Sequence, residues 1–222
     1  MRRSLSWFSL LVVLALLFLN MPNPTMASQG TPTAPPSIIF RSDFTTRAER
    51  WRLLDIAKAS VRYLAEGLNL QVTPANYALW SIPDTDLKPE QFDIELTGNW
   101  ASGAQDAEFG IVVQYRTDTD MELVTISRSG KVRAGSYYFG VFTDQVTPAQ
   151  ITLDPEKAVT LRVELRKVKD KTTLQILVNG AKALNLPLTV LKAGTFGIYV
   201  VSGADPGAAI TFSDFTVFQP GK

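Results

Sequence analysis

The sequence predicts an all-β domain of two antiparallel sheets, on three observations. Apolar residues recur at every second position over most of the chain, dipeptides that suit tight hairpin turns separate these runs, and no segment repeats at a fixed period. In 92–97, Phe92, Ile94 and Leu96 alternate with Asp93, Glu95 and Thr97; Leu161, Val163 and Leu165 alternate with Arg162, Glu164 and Arg166; Leu174, Ile176 and Val178 follow the same rule. Successive strand side chains point to opposite faces, so each run has one buried and one wet side. Asn179-Gly180 is the strongest hairpin signal, because both residues tolerate the positive φ of a type I′ turn. Ser129-Gly130 and Lys169-Asp170 close two more hairpins. About twelve strands at spacings of roughly 8 to 15 residues argue for a sandwich rather than a propeller or solenoid.

Taken from the N-terminus, the chain opens with Met1-Arg2-Arg3, continues with an uncharged apolar run over 7–19, and reaches Thr25-Met26-Ala27. That order is the pattern of a cleaved secretory signal peptide over 1–27, and the apolar run falls short of the roughly 18 to 20 residues that span a bilayer. A secreted or extracytoplasmic location follows as an expectation, with no stable membrane span after cleavage. Residues 28–37 are small, polar and proline-rich and are expected to form a linker. Residues 38–218 form the sandwich, followed by a tail at 219–222. Only 46–58 carries an apolar spacing that suits a helix.

Composition removes whole reaction classes. The 222 residues include no cysteine and no histidine, which excludes disulfides, thiol nucleophiles, Ser-His-Asp triads and His- or Cys-based zinc or haem sites. No cofactor is expected. Removing 1–27 takes away two arginines and no carboxylate, leaving 20 basic against 21 acidic groups, so nothing draws the domain toward nucleic acid.

The order of framework motifs completes the pattern. Residues 40–44 (Phe-Arg-Ser-Asp-Phe) with Trp51, 66–70 (Glu-Gly-Leu-Asn-Leu) and 109–116 (Phe-Gly-Ile-Val-Val-Gln-Tyr-Arg) come first. The run 122–131 around a glycine, 174–180 (Leu-Gln-Ile-Leu-Val-Asn-Gly), 194–199 (Gly-Thr-Phe-Gly-Ile-Tyr) and 210–217 (Ile-Thr-Phe-Ser-Asp-Phe-Thr-Val) follow. This series resembles the concanavalin A-like lectin/glucanase jelly rolls, in particular the laminin G-like and family-16-glucanase-like domains of secreted bacterial proteins, over 38–218. The resemblance implies an antiparallel jelly-roll sandwich and a choice among carbohydrate-binding, adhesion and glycoside-processing roles; it rests on turn glycines and core residues rather than on chemistry.

The remaining carboxylates and aromatic rings suit three kinds of site. Glucanases of this fold carry a Glu-x-Asp-x-(x)-Glu strand, and the nearest match is Asp93 and Glu95, with Gln91 and Thr97 where further carboxylates belong. The alternative reading of these two is the wet side of a strand. Sugar binding uses aromatic platforms, for which Tyr77, Trp80, Trp100, Tyr115, Tyr137 and Tyr138 are the candidates; Tyr137 and Tyr138, being neighbours, cannot both be core. Trp51 and Phe212 are assigned to the core. The acidic turns Asp118/Asp120 and Asp84/Asp86 lack the glycine and distal glutamate of an EF-hand loop, Asp43 and Asp214 meet only if the first and last strands pair, and no metal site is assigned. The expectation is a secreted, non-catalytic jelly roll that binds carbohydrate or a cell-surface ligand on its concave sheet, with a carboxylate-pair hydrolase and a structural adhesion module as alternatives.

Overall fold

The computed structural model describes residues 35–220 except 48, 49, 89, 155, 170 and 189–193. The segment 1–27, all but the last three residues of 28–37, and the end of the 219–222 tail therefore lie outside the described residues. Strands are numbered along the chain. One nine-stranded sheet runs β14 (Ala181–Leu188), β13 (Lys171–Val178), β12 (Val159–Val168), β6 (Phe92–Ser102), β16 (Ala208–Gln219), β4 (Gly67–Val72), β3 (Ala59–Leu64), β2 (Leu54–Ile56), with β1 (Ser37–Ser42) also beside β16. A seven-stranded sheet runs β10 (Val141–Asp144), β9 (Lys131–Tyr138), β8 (Asp120–Ser127), β7 (Glu108–Thr117), β15 (Thr195–Val201), β5 (Ala78–Ser81), with β11 (Ala149–Gln150) beside β9. All the pairings are antiparallel, and the whole is a two-sheet jelly-roll sandwich.

The alternation read from the sequence is the packing rule of the core. Phe92, Ile94 and Leu96 of β6 pair with Leu165, Val163 and Leu161 of β12, and all six are buried. The two sheets meet through rings: Phe109 lies 5.5 Å from Phe212 edge to face, and Phe196 stacks 5.7 Å from Phe215. Each fully buried large apolar side chain contributes about 1.5–3 kcal/mol. Trp51 and Phe212 are core residues, as expected. Asn179 and Gly180 take φ of 50° and 79°, the type I′ turn their identities favour, and Val178 pairs with Ala181 across it.

Two expectations are corrected. The segment 46–58 holds no helix among its described residues: Trp51 bridges to Pro83, and β2 adds to the edge of β3. A short isolated helix is marginal in water, whereas here the Trp51 ring enters the core and its indole N–H donates to Ser42 Oγ at 3.1 Å. The described strands number sixteen rather than twelve, and β2, β5, β10 and β11 are only two to four residues long, too short to show a period. Among the described residues no helix is long and apolar enough to cross a membrane.

Candidate functional site

The sandwich has two outer faces, and the seven-stranded one carries apolar side chains of its own. Ile82, Val112, Met121, Leu123 and Tyr199 form a second cluster there, with Trp80, Tyr115, Tyr137 and Phe142 packed against it. Strand register explains how they meet. In β15, Phe196, Ile198 and Val200 enter the core, so Tyr199 faces out; it pairs with Trp80 of β5 on one side and Gly110 of β7 on the other. Gly110 pairs with Thr125, and Thr125 with Arg133. One row across the sheet thus reads Trp80, Tyr199, Gly110, Thr125, Arg133, and the glycine leaves its middle without a side chain.

A cleft of about 440 Å³ opens over this row. Tyr77, Trp80, Tyr137, Phe142 and Tyr199 supply its apolar walls, and Asn76, Glu108 and Arg133 its polar groups. The Trp80 and Tyr137 rings stand 5.8 Å apart, and Tyr137 and Tyr199 6.3 Å. Arg133 holds Asp144 with two hydrogen bonds, Nε to Oδ1 at 2.9 Å and a terminal nitrogen to Oδ2 at 3.1 Å. Its other terminal nitrogen donates to Glu108 Oε1 at 3.2 Å, and its guanidinium lies 4.3 Å from the Phe142 ring centroid. Glu108 Oε2 accepts from Thr125 Oγ1 at 2.7 Å. A carboxylate has about four acceptor sites, so a glutamate holding these two donors keeps capacity for two more.

A smaller hollow of about 230 Å³ shares Tyr77, Ala78 and Trp80 with the cleft and adds Arg52, Leu54 and Asp118. Three donors converge on Asp118 Oδ1: the Trp80 indole N–H at 2.9 Å, the Tyr115 hydroxyl at 2.8 Å and Arg52 at 2.8 Å. Partial burial pushes the Asp118 carboxyl up, but those three donors together outweigh it and hold the group below the usual carboxylate range. Tyr199 is only 4% exposed; burial, with the Glu108 charge adding to it, pushes its phenol far above the ordinary range. Burial likewise raises Tyr137, with Tyr77 adding, and Tyr115, with its bond to Asp118 adding. These hydroxyls stay protonated donors at neutral pH.

The six aromatic candidates separate sharply. Tyr77, Trp80 and Tyr137 line the cleft. Tyr115 stands beside it, with its hydroxyl on Asp118. Tyr138 is 60% exposed at the tip of the β9–β10 hairpin. Trp100 is in the core, 5% exposed and 4.6 Å from Phe109, where it offers no platform to a ligand. Its strand parity, in phase with Phe92, Ile94 and Leu96, carried that information.

Asp93 and Glu95 lie on the outer face of the nine-stranded sheet, away from the cleft. Asp93 is buried beneath Arg162, at 2.8 Å, and Arg166, while Arg162 also reaches Glu95 at 3.7 Å and Glu164 at 3.2 Å. Of the acidic pairs, Asp120 is held by Arg116 Nε at 2.8 Å, Asp43 caps the turn at Thr45 and Thr46, and Asp214 accepts from Arg41 and Thr216. Asp84 and Asp86 are exposed. No group of three or more potential metal ligands occurs among the described residues.

Sequence reasoning missed Tyr199, Phe142, Glu108 and Arg133. Tyr199 was legible, since it alternates with Phe196, Ile198 and Val200; the ion pair was not, because it joins strands through the register of β7, β8 and β9.

No protein-family model and no curated protein sequence matches this chain. Solved structures do share its fold. The carbohydrate binding module CBM66 from Bacillus subtilis superposes with a TM-score of 0.61 at 14% identity, over 76% of this chain and 95% of that one. The carbohydrate recognition domain of Emp47p gives 0.57 at 16% identity, covering 87% and 100%. An endo-1,3-beta-glucanase from Streptomyces sioyaensis gives 0.56 at 13%, covering 86% and 99%. At these identities the likeness is one of fold, and the fold is the concanavalin A-like jelly roll.

Proposed function

We propose that the chain is an exported, non-catalytic domain that binds a neutral carbohydrate in the cleft on its seven-stranded sheet. The observation that carries this reading is the convergence of five aromatic side chains with the Glu108–Arg133 pair on one outer face. Pyranose rings present apolar C–H faces that rest on aromatic rings, and their hydroxyls take hydrogen bonds from a few fixed polar groups. Glu108 and Asp144 together outnumber Arg133, so the local charge disfavours an acidic sugar. The carbohydrate binding module and the carbohydrate recognition domain that share the fold support the reading.

Two carboxyl groups about 5 to 9.5 Å apart across one bond are what glycoside hydrolysis requires. Glu108 is the one carboxylate among the described residues lining the cleft, and Asp93 and Glu95 are clamped by arginines on the opposite sheet. Export rests on the signal-peptide pattern of 1–27, and N-terminal sequencing of the protein recovered from the culture medium tests it. For binding, a glycan array probed with wild type and Trp80→Ala is decisive. The wild type binds neutral glycans and Trp80→Ala loses about 30-fold or more in affinity, the scale of a central aromatic anchor. An array on which wild type binds nothing, or on which Trp80→Ala binds equally, refutes the proposal.

A further inference from the structure

The chain contains two turns of one geometry with different residues in them. Asn179-Gly180 takes φ of 50° and 79°; Phe139-Gly140 takes 45° and 86°. Each is a two-residue loop, closed by the pairs Val178–Ala181 and Tyr138–Val141. Asparagine suits the first position of a type I′ turn, because its short polar side chain tolerates the left-handed conformation. Phenylalanine does not, and a bulky residue at positive φ is strained. Burial is no compensation at this position: Phe139 is 68% exposed, and Tyr138, its edge-to-face neighbour at 4.6 Å, is 60% exposed. Val141 across the turn is exposed as well.

Three further features tie this tip to the cleft. Gly140 and Phe142, from the same hairpin, line the cleft itself. The Phe139 backbone N–H donates to Thr119 O at 2.9 Å, which fixes the tip against the turn between β7 and β8. The adjacent Asp118 of that turn holds the Trp80 indole. One short turn therefore sets both the ring inside the cleft and the rings at its rim.

We infer that Tyr138 and Phe139 form an outer aromatic platform that takes the sugar units of a glycan emerging from the cleft past Gly140. This rests on the carbohydrate reading of the cleft, and it assigns the protein to chains longer than the cleft holds. The left-handed backbone at Phe139 is a cost that no burial offsets, and strained residues of this kind cluster at sites that contact ligands.

The test uses Phe139→Asn, which installs the residue the chain itself places at its equivalent turn. Three readouts are taken beside wild type and Trp80→Ala: the melting temperature, the oligomeric state by size-exclusion chromatography, and binding to an array of immobilised neutral di- to hexasaccharides. Relief of strain raises the melting temperature by about 1–3 °C. Wild type binds the longer glycans about tenfold or more tightly than the shorter members of the same series, and Phe139→Asn erases that gain.

A lower melting temperature in Phe139→Asn shows that the ring supports the fold and overturns the inference. Retention of the full length-dependent gain by Phe139→Asn, while Trp80→Ala abolishes binding, overturns the platform and leaves the cleft standing. An array on which wild type binds nothing removes both readings. Conversion of a wild-type dimer to a monomer by Phe139→Asn, with glycan binding unchanged, assigns the tip to self-association and overturns the platform too.

Discussion

On the outer face of β6 and β12, Asp93, Glu95, Arg162, Glu164 and Arg166 are linked in one continuous set of ion pairs. Across the sandwich, the outer face of β5, β15, β7 and β9 places Trp80, Tyr199 and Tyr137 beside Arg133, which is held between two carboxylates, with Arg52, paired to Asp118, also beside Trp80. Both faces arise from the same alternation of side chains along extended strands. The first spends its polar capacity internally and closes over a buried carboxylate. The second leaves ring surface open, and water gains nothing from covering rings. A face whose charges are mutually consumed stabilises the fold, while a face with unconsumed surface is able to take a ligand.

Crossed substitutions test this contrast, with the largest effect expected on the closed face. Asp93→Asn leaves Arg162 and Arg166 without their shared carboxylate. Breaking a buried pair costs about 3–5 kcal/mol, discounted here to about 2 kcal/mol because both arginines are roughly one third exposed. Thermal denaturation records this as a fall of about 4–8 °C with glycan affinity unchanged. A loss of binding in a variant that melts like wild type breaks the contrast.

Glu108→Gln acts on the open face. It removes charge from the acceptor while keeping one oxygen for Thr125, and glycan affinity measured by calorimetry falls about tenfold, the worth of roughly 1.4 kcal/mol. Unchanged affinity separates the Glu108–Arg133 pair from the site.

The smallest effect is in pH. The Asp118 carboxyl sits below its unfolded value near 3.9, so its support of Trp80 is present above that pH and is lost only as pH falls through the lowered folded value. The phenols of Tyr137 and Tyr199 are raised, so they remain donors as pH rises past neutrality. Glycan affinity is therefore flat from about pH 5 to pH 9 and declines only in stronger acid. A midpoint between pH 5 and 7 contradicts the Asp118 arrangement.

Much of the site was readable in part. Tyr77, Trp80 and Tyr137, which the sequence offers as platforms, line the cleft, whereas Trp100, which it offers equally, lies in the core. Phe92, Ile94, Leu96 and Trp100 share one parity along an unbroken strand, so the pattern itself held the answer for Trp100. Tyr115 is the opposite case. It shares parity with Phe109, Ile111 and Val113, which all enter the core, but a bulge between Val112 and Gln114 reverses the strand's phase. Tyr115 then pairs with Met121 on the outer face, where its hydroxyl reaches Asp118.

The amino-acid sequence by itself determined the local rules: which residues alternate, where Asn179-Gly180 turns the chain, and which chemistries the absence of histidine and cysteine excludes. These follow from steric preference and composition, which act over a few residues. Only the tertiary structure decided which outer face became a cleft. That choice depends on strand register, on one inserted residue in β7, and on contacts such as Arg133 with Glu108 and Trp80 with Asp118, whose partners are 25 and 38 positions apart in the chain. Alternation states that two faces exist, and the pairing of distant strands decides what each face holds.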